Sequence, residues 1–368
     1  MKRPVLLVLA VAVVSAALVI AGNAYEPSQQ QAPDLPDSLV VKALTHWDAG
    51  WYAEIAKNGY WYTPGVQSPV AYFPLYPMAV RGLTFVGVNR WVAGPLISFI
   101  CAVLGLLLFR KWALEVKPSA ANTAFLALLL YPFAEYLYGV MYSDALFLLV
   151  GVGAFYMNEK DRPFAAALLG ALATACRPVA PALVIGLVLR SLERRRAAGL
   201  PMTWRQLVPG LAGIGFAAYM VFLGFEFHDP LAFAHVQGAP GWEQTPGWHS
   251  WLKVAWFKSM FPRVDPLVGI RLGAHAAVTL GCLVLSVMTF RRLGVGYGAY
   301  CLVCIGIPAA ATKDFQGLGR YAIAAFPLFV AWATILDARP RLRVAWLAGS
   351  GACLVWLAIA LGMGAYVS

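Results

Sequence analysis

The residues best suited to do chemistry lie in the first long polar stretch of the chain, which is crowded with aromatic side chains. Asp48 follows His46 and Trp47 there, and Tyr52 comes about one helical turn later. A short helix is predicted over Ala49–Asn58, with the acid at its N-terminus. A lone carboxylate in this position could act as a general base, or it could simply cap the helix. The residues alone leave both interpretations open.

A second acid and one arginine stand where apolar segments begin or break. Asp144 follows Ser143 at the start of an apolar run, so the two could form a capping pair or belong to a site. Arg177 interrupts an apolar unit, which costs roughly 2.5–3.5 kcal/mol on membrane-insertion scales. It should therefore bind a phosphate in a polar cavity or form an ion pair with Asp144 or Glu135.

Four polar side chains in later loops complete the candidates. His235 and Gln237 lie early in a second long polar region, and alone they are weak indicators of a site. Lys313 and Arg320 bracket a short loop before an apolar segment. Basic residues in such a place could anchor the chain at a membrane interface or bind a phosphate.

The composition indicates an integral membrane protein. Of the 368 residues, 61% are hydrophobic and 12% are charged, and apolar runs long enough to cross a bilayer recur along the chain. We expect an all-α, polytopic fold with about eleven membrane helices in one domain over residues 1–368. Two long loops, 26–90 and 226–266, are expected to lie outside, and the short predicted helix would rest on the membrane surface.

Individual segments carry sharper expectations. Ser119–Gly139 and Tyr321–Leu336 are each predicted to be one span. Phe164–Arg190 is too long for one span, and Arg177-Pro178 should break it into a hairpin of two short helices. The first apolar run, Val5–Gly22, is longer than a usual signal-peptide core, so it is expected to be retained, although a cleaved signal peptide is the alternative.

The net charge of +11 follows the predicted topology. By this layout, 17 of the 28 Lys and Arg residues fall in the loops assigned to the inside. This is the positive-inside pattern, so no nucleic-acid partner is needed to explain the charge. All six cysteines lie in apolar runs, and the lone CxxC at Cys301 and Cys304 lacks a second pair. We therefore expect the cysteines to be core residues. Because few acids lie near the candidate site and no nucleotide-binding loop is seen, we expect no bound metal and no cofactor.

The candidate residues fit one kind of chemistry. Aromatic faces can stack on sugar rings, arginine and lysine bind phosphate, and a single carboxylate can take a proton from an acceptor. Glycosidases need two carboxylates because an alkoxide leaves poorly without a proton. A lipid phosphate leaves as a stable anion, so one base would suffice for transfer from a lipid-phosphate sugar at the outer surface.

The chain resembles the bacterial members of the PIG-V-like family, which is related to eukaryotic GPI mannosyltransferase II. The resemblance is carried by HWDAGWY (46–52), AYFPLYP (71–77), MYSDALF (141–147), ATACRPVAPAL (173–183), DPLAFAHVQ (229–237) and GRYAIAAFPLF (319–329). It implies a GT-C fold and an inverting transfer of a sugar, usually mannose, from a polyprenyl-phosphate donor. It also implies that Trp47-Asp48 is the critical pair, with Asp48 as the base.

The resemblance suggests a bacterial cytoplasmic membrane protein that acts on the outer face, with membrane lipids around it. The acceptor, a lipid or a glycan, carries over less well, because the eukaryotic relatives act on a GPI precursor. A transporter or flippase of a lipid-linked saccharide is the main alternative, although the inner halves of the spans offer no polar path. A non-catalytic assembly subunit is a weaker one.

Overall fold

The regular structure of the chain is helical wherever it is described. The computed structural model describes residues 2–27, 32, 34–244, 247–261 and 266–367, and for residues 266 and 267 the backbone alone. The α-helices in chain order are α1 (Lys2–Tyr25), α2 (Leu39–Leu44), α3 (Ala49–Asn58), α4 (Leu75–Thr84), α5 (Arg90–Val116), α6 (Ala121–Leu129), α7 (Asp144–Glu159), α8 (Pro163–Thr174), α9 (Ala180–Ala197), α10 (Ile214–Phe227), α11 (Ala232–His235), α12 (Trp248–Trp251), α13 (Val254–Met260), α14 (Pro266–Leu293), α15 (Val295–Ala311), α16 (Leu318–Ala324), α17 (Pro327–Asp337) and α18 (Pro340–Gly362). This confirms the all-α class predicted from the sequence.

Several of these helices can cross a membrane by length and composition. Within the described ranges, the five that qualify are Lys2–Tyr25, Arg90–Val116, Trp204–Phe227, Val268–Leu293 and Pro340–Gly362. Helices α16 and α17 make a sixth if the bent pair counts as one span. Shorter apolar helices cover Pro118–Leu129, Pro163–Thr174 and Val295–Ala311. The protein is a multi-pass membrane protein, but the expected count of about eleven spans is not confirmed.

The prediction of one continuous span over Ser119–Gly139 was wrong, because α6 ends at Leu129. Two of the main-chain carbonyls freed there accept hydrogen bonds from side chains. The Tyr138 hydroxyl donates to the carbonyl of Leu129 at 2.5 Å, and the Ser350 hydroxyl donates to that of Leu130 at 2.8 Å. These bonds replace the helical ones, so the chain can leave the helix in apolar surroundings.

The span predicted over Tyr321–Leu336 is also broken. Helix α16 ends at Ala324, α17 begins at Pro327, and the two are bent by 91°. Proline suits the first position of a helix, where no N–H is needed. Helix α16 begins at Leu318, so Arg320, expected at the end of a loop, lies in its first turn.

The predicted break at Arg177-Pro178 is present. Helix α8 ends at Thr174 and α9 begins at Ala180, with the arginine in the turn between them. Helix α8 has 12 residues, as expected for a short helix. Helix α9 has 18 residues, because it continues through the basic run that follows the apolar segment.

Contacts join loops that the charge pattern assigns to the same side of the membrane. At one end, Gln67 Nε2 donates to the carbonyl of Pro240 at 3.0 Å, which connects the two long polar regions. At the other end, Arg190 Nε lies 2.6 Å from Glu159 Oε1, and Tyr297 donates to the same oxygen at 2.8 Å. Each group of contacts thus joins segments that the charge pattern assigns to one side.

An aromatic core lies between these ends and fixes the bend of α16 and α17. Phe326, at the bend, is fully buried and meets the ring of Trp112 on α5 edge-on at 5.0 Å. It also lies 5.7 Å from Phe155 on α7 and 5.7 Å from Tyr300 on α15. Edge-to-face pairs of this kind favour one arrangement of the helices.

Candidate active site

Asp48 precedes α3 but does not cap it. Its backbone is helical, with φ −61° and ψ −16°, and its side chain makes no bond to the helix N-terminus. Instead, the Tyr72 hydroxyl donates to Asp48 Oδ1 at 3.1 Å, and the Asp48 N–H donates to the Tyr142 hydroxyl at 3.2 Å. The capping interpretation therefore does not hold, and the carboxylate is free for other contacts.

The two residues before Asp48 are held by packing. Trp47 has φ 55°, a left-handed conformation that non-glycine residues rarely adopt, and its ring meets that of Tyr366 edge-on at 5.1 Å. His46 is buried. Burial lowers the pKa of His46, although a hydrogen bond with the backbone of Gly362 opposes this. The tight turn therefore packs against the last residue of α18 and the segment that follows it.

The charge state of Asp48 results from opposing influences. Its side chain is 27% exposed, and Arg320 Nη2 lies 3.9 Å from its Oδ2. Burial raises the pKa of Asp48, whereas Arg320 and the hydrogen bond from Tyr72 lower it. A general base needs an appreciable proton affinity, and burial raises that of Asp48 while Arg320 and Tyr72 limit the rise.

Asp144 is the second acid of the cluster and begins α7. Its side chain is 1% exposed, and Ser143 makes no capping bond to the helix, so the capping pair is not formed. Arg177 Nη1 donates to Asp144 Oδ1, and Arg320 Nε lies 3.8 Å from the same oxygen. Arg177 therefore has the ion-pair partner that was one of its two expected roles.

Two N–H donors of Arg320 have no acceptor among the residues that the structure describes. Its guanidinium lies 4.9 Å from the ring centres of both Tyr136 and Tyr142. Its Nε and Nη1 are buried and have no hydrogen-bond partner among the described residues. Buried donors without partners are costly, so this group is well placed to bind an anion.

Glu135 lies close enough to this cluster to act on it electrostatically, through Arg320 and Asp144. It is fully buried in the short 3-10 helix Ala134–Leu137, which follows α6. Within the described ranges, neither carboxylate oxygen has a hydrogen-bond partner, so the alternative pairing with Arg177 is not formed. From the sequence, Glu135 was expected only as a possible ion-pair partner of Arg177.

Tyr52 joins the cluster from α3. Its hydroxyl donates to Ser143 Oγ at 3.1 Å, and its ring packs edge-on against Tyr72 at 5.2 Å and Tyr76 at 4.9 Å. Tyr72 and Tyr142 are residues of this site that the sequence analysis did not single out. They were covered only by the local density of aromatic residues and by the motifs AYFPLYP (71–77) and MYSDALF (141–147), which gave neither of them a role.

His235 lies elsewhere, in the second long polar region. Its Nδ1 is 2.7 Å from Asp229 Oδ2, and its side chain is 59% exposed. The Tyr62 hydroxyl donates to the same carboxylate oxygen at 3.3 Å. This exposed group connects the two long regions and is separate from the buried charges around Asp144.

Gln237 and Lys313 also make their contacts within the second polar region. The main-chain carbonyl of Gln237 accepts a hydrogen bond from the N–H of Gln244 at 2.8 Å. Lys313 Nζ lies 2.8 Å from Glu243 Oε2, and its N–H donates to Gln244 Oε1 at 2.7 Å. The structure therefore does not bring these two residues to the cluster that holds Asp48.

A cavity and the distribution of metal-binding side chains bear on which ligands the site could bind. An apolar cavity of about 470 Å³ opens beside the turn that carries Arg177, and its lining includes Tyr60, Met78, Ala175 and Phe222. Among the residues that are described, no group of three or more His, Cys, Asp or Glu side chains could hold a metal ion.

The fold is similar to that of ArnT, which has the GT-C fold. The structure of ArnT from Cupriavidus metallidurans bound to undecaprenyl phosphate matches with a TM-score of 0.55 at 15% identity, over 94% of this chain and 62% of that one. The apo state of the same protein matches with a TM-score of 0.52 over the same shares. The GT-C fold implied by the sequence resemblance is thereby confirmed.

Sequence comparison identifies the family. GPI alpha-1,6-mannosyltransferase 2 from Cricetulus griseus is 29% identical over 170 residues, which cover 42% of this chain and 33% of that protein. The match thus spans about a third of the length of this curated relative. The family model described as Mannosyltransferase (PIG-V) matches residues 9–194, half of the chain, and these include Asp48, Asp144 and Arg177. The chain therefore belongs to the PIG-V mannosyltransferase family.

Proposed function

We propose that the protein transfers a mannose residue, with inversion, from a polyprenyl-phosphate donor to a lipid or glycan acceptor at the outer face of a bacterial cytoplasmic membrane. The observation that carries this proposal is the pairing of Asp48 with Arg320. A half-buried carboxylate lies 3.9 Å from a guanidinium that has two buried donors without described partners. A base and an anion site thus adjoin each other.

Asp48 and Arg320 would each serve one part of the reaction. The acceptor hydroxyl attacks the anomeric carbon of the donor sugar, and its proton passes to a carboxylate oxygen of Asp48. The bond between that carbon and the phosphate oxygen breaks, and the electron pair leaves with the phosphate. The phosphate gains one negative charge in this step, which the free donors of Arg320 would stabilise more strongly than the starting diester.

Arg177 would supply a second positive charge to the phosphate, and Asp144 would hold both arginines. Asp144 Oδ1 accepts from Arg177 and lies 3.8 Å from Arg320 Nε, so the charge of one carboxylate attracts both guanidinium groups. Arg177 also lies 5.1 Å from the ring centre of Tyr321. Cations fixed in advance in this way need little reorganisation when charge develops on the phosphate.

The lipid part of the donor has a matching surface. The apolar cavity beside Ala175 lies next to the turn that carries Arg177, so a phosphate at the arginines could extend its isoprenoid chain there. The similar ArnT structure was solved with undecaprenyl phosphate, which supports a lipid-linked donor for this fold. The positive-inside pattern supports an outer-face site, since the loops around Asp48 are those assigned to the outside.

The direct test is a transfer reaction with purified protein. Polyprenyl-phosphate mannose would be incubated with the protein and a membrane lipid extract, and the products identified by mass spectrometry. We expect an acceptor that has gained one hexose, and none with Asp48→Asn. If no glycosylated product formed while labelled donor crossed sealed vesicles containing the protein, the proposal would be wrong and transport would be the better account.

A further inference from the structure

We infer that the aromatic side chains on the far side of Asp48 form the acceptor subsite and bind a sugar ring of the acceptor. The group consists of Trp51, Trp61, Tyr72 and Trp242 and is called the aromatic platform below. This inference rests on the proposed function, because it assigns the second substrate of that site. It names a saccharide as the part of the acceptor that the protein recognises.

The two oxygens of Asp48 face different surroundings. Oδ2 is directed to Arg320 Nη2 at 3.9 Å, on the side of the buried charges. Oδ1 accepts the hydrogen bond from Tyr72 at 3.1 Å, on the side of the aromatic platform. The carboxylate therefore stands at the border between a cationic surface and an aromatic one.

The rings of the platform come from both long polar regions. Trp51, on α3, is stacked on Tyr72 with centres 6.0 Å apart and planes 20° apart. Trp242, from the second region, meets these rings edge-on at 5.8 Å and 6.2 Å. Trp61 lies 6.4 Å from Trp51 and is 38% exposed. Tertiary folding thus gathers three tryptophans next to Tyr72, whose hydroxyl donates to Asp48.

The aromatic platform suits a sugar ring better than it suits the phosphate or the isoprenoid chain of the donor. The C–H groups of a pyranose ring carry partial positive charge, and the face of an indole is negative, so the two attract when stacked. The negative faces of these rings do not attract a phosphate, whereas a phosphate gains ion pairs at Arg320. An isoprenoid chain has the apolar cavity beside Ala175. The remaining partner is a saccharide.

The arrangement also fits an inverting displacement. In such a step the attacking oxygen and the leaving phosphate stand on opposite sides of the anomeric carbon. A phosphate at Arg320 and an acceptor sugar on the platform would approach from the two sides of Asp48. The acceptor hydroxyl would then lie within reach of the carboxylate that takes its proton.

The test measures binding and does not depend on turnover. Detergent-purified Asp48→Asn protein would be titrated in a calorimeter with free disaccharides of manno, gluco and galacto configuration. We expect at least one to bind saturably, and Trp242→Ala in this background to weaken that binding about tenfold, as for an aromatic contact at a recognition site. Trp242→Phe, which keeps a ring, should recover part of the affinity.

The control is Trp251→Ala, which removes a 65% exposed tryptophan from the same region and should leave binding unchanged. If Trp242→Ala were poorly folded, the more exposed Trp61→Ala would be used and should also weaken binding. The inference is overturned if no disaccharide binds, or if the platform variants bind as tightly as the control. Loss of the proposed function would appear separately, as absence of transfer by the unaltered protein.

Discussion

Replacing Arg177 alone with methionine should destabilise the protein severely. The side chains of Arg177 and Asp144 are 7% and 1% exposed, so the variant leaves an acid buried without its main cation. The nearest other described cation is Arg320 Nε, at 3.8 Å and without a hydrogen bond. Removing one partner of a buried pair costs about 3–5 kcal/mol, a large part of the net stability of a typical domain.

The double variant Arg177→Met with Asp144→Asn separates the structural role from the functional one. It removes both charges, so most of the lost stability should return, because replacing a whole buried ion pair is often close to neutral. Transfer should not return, because the phosphate loses one cation and Arg320 loses the acid that orients it. Arg190→Met is the matched control, since it breaks the pair with Glu159 at the opposite end of the bundle.

The assays are the thermal unfolding midpoint in detergent and the transfer rate per folded molecule. Arg190→Met should lower the midpoint and leave the rate of the remaining folded protein close to that of the parent. The reasoning is refuted if Arg177→Met is as stable as the parent, or if the double variant is no more stable than the single one. Normal transfer by the stable double variant would show that neither Arg177 nor Asp144 takes part in the reaction.

Three further outcomes can be checked. Tyr72→Phe deletes a hydrogen bond that favours the ionised form of Asp48, so the pKa of Asp48 should rise. The acidic limb of the pH–rate profile should therefore move to higher pH. An unmoved limb would show that Tyr72 does not act on the base. Thr63→Cys should react with an impermeant thiol reagent in intact cells and Ala198→Cys only after the membrane is opened, whereas the reverse would invert the topology. His235→Ala should change transfer by no more than a few-fold, because the side chain is exposed and lies outside the charge cluster, so a large loss would bring it into the mechanism.

The sequence predicted those parts of the fold that depend on local chemistry. The helix Ala49–Asn58 has the predicted bounds, with Gly59 at φ 86° just after it. The break at Arg177-Pro178 follows from the proline, which cannot continue the incoming helix. The early ends of α6 and α16 were missed, because the bonds that replace the helical ones come from distant residues such as Ser350.

Of the site, the sequence predicted the charged residues and Tyr52. A charge in an apolar segment needs a partner, and this rule identified Arg177 and Asp144 before their contact was known. The rule could not decide whether Arg177 pairs with Asp144 or with Glu135, because the choice depends on how α7 packs against the turn before α9. Lys313 and Arg320 have the same sequence signal, yet Lys313 pairs with Glu243 whereas Arg320 reaches Asp48.

The most direct test of the account is the transfer rate of Asp48→Asn. Asparagine keeps the shape of the side chain and can still accept the hydrogen bond from Tyr72, so the variant should fold and insert as the parent does. It cannot take the proton of the acceptor, and loss of a positioned base typically lowers a rate by about 10²–10⁴-fold. We predict a stable protein with a loss of that size. A rate within a few-fold of the parent would contradict the assignment of Asp48 as the base.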